Sequence, residues 1–271
     1  MKHVFHPTDL GPGSSQALMH ALRLATTTHS RLTIMHVDSS GESEWAEIPG
    51  VRSTLAKWGL LKDPNDKEEF RTLGLGVRKI MADAGRPVKV CLDYLDEHPA
   101  DLVVLSTHQT DARMTWLSGK VAEPLARGAG EPSLLLPHDR PGFVDPATGV
   151  VTIERVLVPV ATTPDPTLAL AAARRILDLL DQRDVIFTLL HVGSGATEPL
   201  MVPDPREGWS FERRTRAGDP VDVIVRTAAE INADLVVMAT KGHDGFLDVF
   251  RGSTTERVLR QVRCPLLAVP A

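Results

Sequence analysis

Hydrophobic and polar positions in the first half of the chain follow two kinds of pattern. Short apolar runs rich in β-branched residues predict buried strands, and longer stretches with apolar residues three and four apart predict helices. The predicted strands are Lys2–His6, Leu32–Val37, Val77–Met81, Leu102–Leu105 and Ser133–Leu136. The predicted helices are Ser14–Thr28, Val88–His98 and Lys120–Arg127.

The second half repeats the same succession of patterns. Its predicted strands are Arg155–Val158, Val185–Val192, Phe211–Arg216, Leu235–Met238 and Leu266–Val269. Its predicted helices are Pro166–Leu180, Val221–Ile231 and Thr254–Gln261. Strands that alternate with helices, without hairpin signals, predict an α/β fold in each half, with a parallel sheet covered by helices on both faces.

The two halves also share residues, which indicates an internal duplication. At a constant offset of 133, residues 85–137 match residues 218–270 at 18 of 53 positions, Asp101 and Asp234 among them. Further upstream, residues 6–9 correspond to 158–161 at offset 152, and His36 corresponds to His191 at offset 155. A repeat of this length predicts two tandem domains rather than a solenoid. We expect domains at 1–138 and 153–271, joined by a Pro- and Gly-rich linker at 139–152.

The halves differ between their second and third strands, where the first half is 22 residues longer. Amphipathic stretches at Val51–Trp58 and Lys67–Leu73 predict helical structure there, broken at Asp63-Pro64. The second half has Gly193–Trp209 instead, with three prolines, which we interpret as an irregular loop. This loop could lie over a ligand site in the second half, but we favour a loop exposed to solvent.

Composition narrows the class of protein. The chain has 271 residues, is 42% hydrophobic and 24% charged, and carries a formal net charge of −5. The sequence has no cluster of Lys and Arg of the kind that binds nucleic acid. It also has no apolar run long enough to span a membrane. The N-terminus has no signal-peptide core, so we expect a cytoplasmic protein. Cys91 and Cys264 are too few for a disulfide framework or a metal cluster, and we expect buried thiols and no structural zinc.

Residues 233–258 hold the strongest chemical signal. An apolar run at Leu235–Met238 precedes a loop with three glycines, and Ser253 to Thr255 then open a stretch with helical spacing. Strand, glycine-bearing loop and a helix that begins with hydroxyls form an arrangement typical of phosphate sites. The alternative is that the glycines only make turns and a helix C-cap.

Signals for catalysis or a metal are weak throughout the sequence. The sequence has no phosphate-binding Gly-x4-Gly-Lys-Ser/Thr loop, no Gly-x-Ser-x-Gly elbow and no His-Glu-x2-His motif. His243-Asp244 could meet a phosphate or a metal, but an exposed loop pair is favoured. For His36 and His191, at equivalent strand ends, we expect structural hydrogen bonds.

The spacing Ala239-x2-Gly242-x9-Gly252-Ser253 resembles the nucleotide-binding signature of the universal stress proteins, Gly-x2-Gly-x9-Gly-Ser/Thr, with Ala239 in place of the first glycine. The strand before it and the segment Cys264–Val269 are similar as well. The resemblance implies two flavodoxin-like, adenine-nucleotide-hydrolase-like domains, each an open parallel five-stranded sheet of order 3-2-1-4-5. It also implies that the last strands of the two domains pair, as an intrachain pseudo-dimer.

The resemblance further implies a nucleotide site where the strand order reverses, beyond the first and fourth strands. In the second domain the site residues would be Pro159, Val160, Ala161, Val192, Ala239, Gly242, Gly252, Ser253 and Thr254. The first domain would hold a degenerate site at Thr8, Asp9, Val37, Ser106, Gln109, Gly119 and Lys120.

Each domain has kept a different part of this site. The first domain keeps Asp9, the acid that the resemblance places beside the adenine, and the second has Ala161 there. The second domain keeps two of the signature glycines, whereas the first has Ser106 and Gln109 at glycine positions. Asp9 has an alternative reading as a turn or N-cap residue of the first helix.

The resemblance implies a stress-response protein that binds ATP, ADP or AMP in its second domain, as a sensor or regulatory module. Two alternatives stay open: a weak ATPase with Mg²⁺ held by the phosphates and Ser253, and an interaction module that binds no nucleotide. Besides the nucleotide we expect an unidentified protein partner, no nucleic acid and no membrane. A further homodimer of the whole chain is an open alternative.

Overall fold

The computed structural model describes residues 1–38, 50–83, 85–107, 121–137, 140–193, 206–240 and 253–271. The chain divides into two compact units, Met1–Val151 (unit 1) and Thr152–Ala271 (unit 2). Each unit is an α/β domain with its own core. The predicted pairing between the last strands of the two domains stays a prediction.

Unit 1 contains five parallel strands in the order β3-β2-β1-β4-β5. The strands are β1 (His3–Pro7), β2 (Arg31–Asp38), β3 (Gly76–Asp83), β4 (Leu102–Thr107) and β5 (Ser133–Pro137). The helices are α1 (Pro12–Thr27), α2 (Val51–Lys57), α3 (Lys67–Thr72), α4 (Pro87–Glu97) and α5 (Ala122–Gly128). The placement of these elements confirms the α/β fold predicted from the apolar pattern, and their strand order confirms the order that the resemblance implied.

The extra residues of unit 1 form two short helices, α2 and α3, as the sequence predicted. Helix α2 is terminated by Gly59, which has φ +72°, and the Leu60 N–H there donates to the Leu55 carbonyl. Side chains then shape the turn that precedes α3. The Asp63 carboxylate accepts the Asn65 N–H at 2.8 Å, and Asp66 caps α3 by accepting from Glu68 and Glu69. Leu55 on α2 is fully buried, so this helix belongs to the core of unit 1.

Residues 140–151, which we call the strap, fold back onto unit 1. Phe143 and Val144 are buried, and Val144 forms an antiparallel bridge with Val151. The Val144 N–H donates to Nε2 of His20 on α1 at 3.1 Å. Phe143 also meets the His20 ring edge-on, with a centroid separation of 4.5 Å. The strap therefore covers a face of α1 that would otherwise be open to solvent.

Trp58, at the end of α2, holds the other end of the strap. Its indole N–H donates to the Pro146 carbonyl at 3.3 Å. Gly149, at φ +70°, lies so close that an added Cβ would come within 2.5 Å of the indole ring. Only glycine combines this backbone angle with this approach. Residues of the unit 1 insertion thus hold much of the segment that the sequence suggested as a linker.

Unit 2 repeats the same order, β10-β9-β6-β7-β8, with every pair parallel. Its strands are β6 (Arg155–Val160), β7 (Val185–Val192), β8 (Trp209–Arg216), β9 (Leu235–Thr240) and β10 (Leu266–Pro270). Its helices are α6 (Pro166–Leu179), α7 (Pro220–Glu230) and α8 (Thr254–Leu259). Residues 194–205, which include most of the predicted irregular loop, lie outside the described residues.

The duplication extends to side-chain contacts at the start of each sheet. The Asp101 carboxylate accepts the backbone N–H groups of Lys2 and His3, at 2.6 and 2.9 Å. The Asp234 carboxylate accepts those of Glu154 and Arg155, at 2.8 and 2.9 Å. In each unit, this acid before the fourth strand satisfies amides at the start of the first strand. Within the described ranges, no helix is both long and apolar enough to cross a bilayer.

Candidate functional site

Unit 2 has a cleft of about 390 Å³ at the carboxyl ends of its strands. The cleft lies where the strand order reverses, because β6 is paired with β7 on one side and with β9 on the other. This is the position at which open parallel sheets bind ligands. Its lining residues are Pro159, Val160, Ala161, Thr163, Pro164, Leu190, Val192, Pro220, Ile224, Met238, Ala239, Thr240, Ser253, Thr254 and Thr255.

Seven of the nine site residues predicted for the second domain line this one cleft. They are Pro159, Val160, Ala161, Val192, Ala239, Ser253 and Thr254. The other two, Gly242 and Gly252, lie outside the described residues, as does the pair His243-Asp244. The parallel topology brings the seven residues together, because strand ends that are far apart in sequence meet at one edge of the sheet.

Sequence reasoning missed the residues that helices and loops bring to the cleft. Pro220 and Ile224 come from the first turns of α7, and Thr163 and Pro164 come from the loop after β6. No motif marks these residues, and only the packing of α7 beside the sheet places them. Leu190 had a usable signal, since it lies two positions before Val192 on the same strand face.

The cleft has an apolar side and a hydroxyl-bearing side. On the β7 side lie Leu190 and Val192, next to Pro159 of β6. On the β9 side lie Thr240 and the hydroxyl residues that lead into α8, Ser253 to Thr255. None of the described lining residues carries a charged side chain. The cleft therefore suits a ligand with one flat apolar part and one hydrogen-bonding part.

Side-chain contacts fix the helices that border the cleft. The Ser253 hydroxyl caps α8 by accepting the Glu256 N–H at 3.2 Å. The Asp219 carboxylate caps α7 by accepting from Val221 and Asp222. Arg257 of α8 also lies 3.6 Å from Asp219, in a partly exposed ion pair. These contacts hold α7 and α8 side by side at the rim of the cleft.

The two strand-end histidines make equivalent hydrogen bonds. His36 Nδ1 donates to the Thr8 carbonyl at 2.8 Å, and His191 Nδ1 donates to the Val160 carbonyl at 3.4 Å. Thr8 and Val160 are equivalent residues of the duplication. The structural role expected for both histidines is confirmed, because each one ties the second strand of its sheet to the end of the first.

In unit 1, the side chains at the corresponding strand ends are engaged with one another. The Asp9 carboxylate accepts the Gly11 N–H at 2.9 Å and also the Ser14 hydroxyl. Asp9 therefore stabilises the turn before α1, which is the structural alternative kept in the sequence analysis. Thr8 is 2% exposed and Val37 is 1% exposed, so both belong to the core.

The Ser106 side chain near the end of β4 in unit 1 is fully buried, and its hydroxyl has no hydrogen-bond partner in the structure as described. Gln109, Gly119 and Lys120 lie outside the described residues. Helix α5 begins after Val121 without a side-chain cap. Val121 and Ala122, both buried, stand where unit 2 has Thr254 and Thr255, so unit 1 lacks these hydroxyls.

A second buried polar group lies on β1 of unit 1. His6 is fully buried, and its Nδ1 donates to the Val104 carbonyl at 2.9 Å. Burial lowers the pKa of His6 to about 4, so the ring is neutral at physiological pH. In unit 2, Val158 and Ala239 stand at the positions of His6 and Ser106. The buried polar side chains at these two positions of β1 and β4 therefore occur in unit 1 and not in unit 2.

The cysteines and acids give no metal site in the described part of the chain. Cys91 and Cys264 are buried free thiols, as expected, and burial raises the pKa of each to about 12. Among the residues whose structure is described, no group of three or more His, Cys, Asp or Glu side chains could hold a metal ion.

Comparison with known proteins agrees with the duplicated fold. The model of the universal stress protein family matches residues 1–137 and 205–270, which is most of the chain. The chain belongs to the universal stress protein family. It is 24% identical to a universal stress protein of Mycobacterium tuberculosis over 267 aligned positions, covering 87% of this chain and 86% of that protein.

Other relatives match smaller parts or share the fold alone. A universal stress protein of Methanocaldococcus jannaschii is 38% identical over 65 residues, which is 23% of this chain and 38% of that protein. The crystal structure of a universal stress protein from Archaeoglobus fulgidus has a TM-score of 0.61 at 17% identity, covering 99% of this chain and 96% of that chain.

One universal stress family protein, from Arabidopsis thaliana, has been crystallised with AMP bound. It is 20% identical and covers 43% of this chain and 90% of that chain, with a TM-score of 0.30. A likeness this slight carries no argument about the cleft of unit 2.

Proposed function

We propose that this universal stress protein binds one adenine nucleotide per chain, in the cleft of unit 2, and acts as a regulatory binding module in a stress response. The observation that carries the proposal is the cleft itself. It gathers the strand ends and hydroxyl residues of the family signature around a space of about 390 Å³. That volume is within the usual range for small-molecule sites.

The two sides of the cleft suit the two ends of a nucleotide. The ring system would pack against the apolar side at Leu190 and Val192. The phosphates would lie toward Ser253 and Thr254, beside the loop with Gly242 and Gly252. Neighbouring strands are about 4.8 Å apart, so β7 and β9 are separated by roughly 10 Å. This separation allows one ligand to reach both sides.

Unit 1 supports the assignment by contrast. Its Asp9 is bonded within its own turn, and Val121 and Ala122 replace two hydroxyl residues. Gln109 stands where unit 2 keeps the signature glycine Gly242, and a Cβ at this position limits close approach of the backbone to a phosphate. We therefore assign the nucleotide to unit 2 alone.

A regulatory role is favoured over strong catalysis by the chemistry of the cleft walls. The described lining residues include no carboxylate, imidazole or amine that could act as a general base. A weak Mg²⁺-dependent ATPase would need groups from the loop 241–252 or from the nucleotide itself. Steady-state turnover that is lost in Ser253→Ala would favour that alternative.

A thermal-shift measurement with ATP, ADP and AMP tests the proposal on the full chain. A ligand present at one hundred times its dissociation constant stabilises the folded state by about 2.7 kcal/mol. For a protein of this size that corresponds to a rise in Tm of roughly 5–10 °C. The substitution Ala161→Trp places a large ring in the cleft at an exposed residue, and we expect it to abolish the shift.

Ala171→Trp provides the matched control, because Ala171 is also exposed but lies on α6 outside the cleft lining. It should leave the nucleotide-induced shift unchanged. If millimolar nucleotide does not raise the Tm of the unmodified protein, the proposed function is wrong and the interaction-module alternative replaces it.

A further inference from the structure

We propose that the unit 2 cleft holds a purine by packing against its faces without reading its hydrogen-bonding edge, so that adenine, guanine and hypoxanthine nucleotides bind alike. In this proposal the residue at position 161 determines whether the cleft distinguishes between bases, and Ala161 leaves it unable to do so. The inference rests on the proposed nucleotide binding and concerns only which bases the same cleft accepts.

The apolar side of the cleft offers packing surface for a flat ring. Leu190 is fully buried beneath it, and Val192 and Pro159 are half-buried at its wall. Burial of an aromatic ring against such residues is favourable and depends on area, not on the donors and acceptors at the ring edge. Adenine, guanine and hypoxanthine share the same fused ring system and would gain similar stabilisation there.

The described walls contain no side chain that could distinguish these bases. None of the described lining residues has a carboxylate, carboxamide, imidazole or cationic group. The Val160 carbonyl already accepts from the His191 ring at 3.4 Å. Thr163 has a hydroxyl, but a hydroxyl both donates and accepts, so it can rotate to suit either kind of base edge.

Discrimination between bases needs a polar group that one of them leaves unpaired. Adenine presents an amino donor at position 6, whereas guanine presents a carbonyl acceptor there. Hypoxanthine carries the same carbonyl as guanine. A binding site rejects the wrong ligand strongly only when its own buried donor or acceptor loses a partner. An apolar wall has no such group and tolerates both edges.

The other half of the chain contains the residue that could read this edge. Asp9 occupies the position in unit 1 that Ala161 occupies in unit 2. In unit 1 its carboxylate is engaged by Gly11 and Ser14. The unit 2 equivalents of these residues are Thr163 and Pro166, and proline has no hydroxyl. A carboxylate introduced by Ala161→Asp would therefore keep acceptor capacity for a ligand in the cleft.

Isothermal titration calorimetry of the full chain with ATP, GTP and inosine triphosphate tests the proposal. ATP and inosine triphosphate carry different groups at position 6 of the purine. In the unmodified protein we expect the three dissociation constants to agree within about threefold, since none of the described lining residues has a charged or carboxamide side chain. In Ala161→Asp we expect the ratio of the ATP and inosine triphosphate dissociation constants to change by on the order of tenfold, because a carboxylate can accept from the 6-amino group of adenine or from the N1–H of hypoxanthine, and these donors lie at different places on the ring edge.

Ala161→Asn is the matched control. Its side chain has nearly the same size as that of aspartate, but its amide can both donate and accept. We expect this variant to bind ATP and inosine triphosphate equally. Because Ala161 is exposed, neither substitution should impair folding, which a melting curve of each variant verifies.

Other outcomes separate this proposal from the proposed function. If the unmodified protein binds ATP at least tenfold more tightly than inosine triphosphate, the cleft does read the base and the present inference is wrong, while nucleotide binding stands. If Ala161→Asp leaves the ratio of dissociation constants unchanged, the role of Ala161 is wrong. If none of the three nucleotides binds, the proposed function fails and this inference fails with it.

Discussion

At the scale of single residues, two aspartates fix the start of each sheet. Asp101 and Asp234 each accept two backbone N–H groups that a first β-strand cannot pair by itself. The comparison of the two halves identified both aspartates as identical residues of the duplication, but their role could not be predicted from it. That role depends on a contact between residues as far as 99 positions apart in the chain.

Loss of either carboxylate should destabilise its own unit. We expect Asp101→Ala or Asp234→Ala to reduce the free energy of unfolding by about 0.5–1.5 kcal/mol, because two backbone N–H groups, mostly exposed to solvent, lose their carboxylate acceptor. Urea denaturation measures the change. The control is Asp→Asn at the same position, which keeps one oxygen acceptor and should cost less. Equal losses for the alanine and asparagine variants would contradict this account.

His20 gives a residue-scale prediction about pH. Burial lowers its pKa from 6.5 to about 4, so between these values the unfolded state binds more protons than the folded state. The stability that depends on neutral His20 is therefore fully present above pH 6.5 and is lost as the pH falls toward 4. Below that range the Val144 N–H loses its acceptor.

A comparison of wild type with His20→Gln isolates this effect from other titrating groups. Glutamine can accept the Val144 N–H but does not titrate. We expect the wild type to lose more unfolding free energy than the variant between pH 7 and pH 4.5, measured by urea denaturation. Equal losses would mean that folding does not lower the pKa of His20.

At the scale of elements, the strands and helices could be predicted because each one buries an apolar pattern of fixed period. Even the break at Asp63-Pro64 was predicted, since proline and a turn-forming acid mark it locally. The strap could not be predicted in the same way. Its anchor Val144 meets His20 across 124 positions of chain, and a Pro- and Gly-rich stretch carries no periodic signal.

The strap gives an element-scale prediction at Gly149. We expect Gly149→Ala to destabilise unit 1, because the residue has φ +70° and its new Cβ would meet the Trp58 ring at 2.5 Å. The matched control is Gly59→Ala, at φ +72° with nothing within 4 Å of the added carbon. The control should lose roughly 1 kcal/mol of unfolding free energy from backbone strain alone, and Gly149→Ala should lose more. Equal losses, measured by urea denaturation, would show that the strap does not pack tightly on Trp58.

Helix α8 gives a second prediction at this scale. Ser253 is its only side-chain cap in the described structure, and loss of a serine cap costs about 1 kcal/mol. We expect Ser253→Ala to lower the Tm by roughly 2–4 °C without nucleotide. Ser253→Asp, which can also cap a helix, should keep most of the stability. If the Tm of Ser253→Ala equals that of the wild type, the capping role of Ser253 is wrong.

At the scale of the whole molecule, duplication has left two equivalent folds with different sites. The strand ends that form the unit 2 cleft could be predicted from the sequence, because parallel topology and the family signature both point to them. The contributions of Pro220, Ile224 and Thr163 could not, since these depend on how α7 and one loop pack. In unit 1, the corresponding Asp9 is bonded within its own turn and Ser106 is buried.

The central claim is that one nucleotide binds per chain and that it binds in unit 2. Isothermal titration calorimetry with ATP, on the full chain and on the paired variants Gly252→Val and Gly119→Val, tests it most directly. The glycines are equivalent in the duplication, so each variant is the control for the other. We predict one site per chain, lost in Gly252→Val and kept in Gly119→Val. Two sites per chain, or a site lost only in Gly119→Val, would contradict the claim.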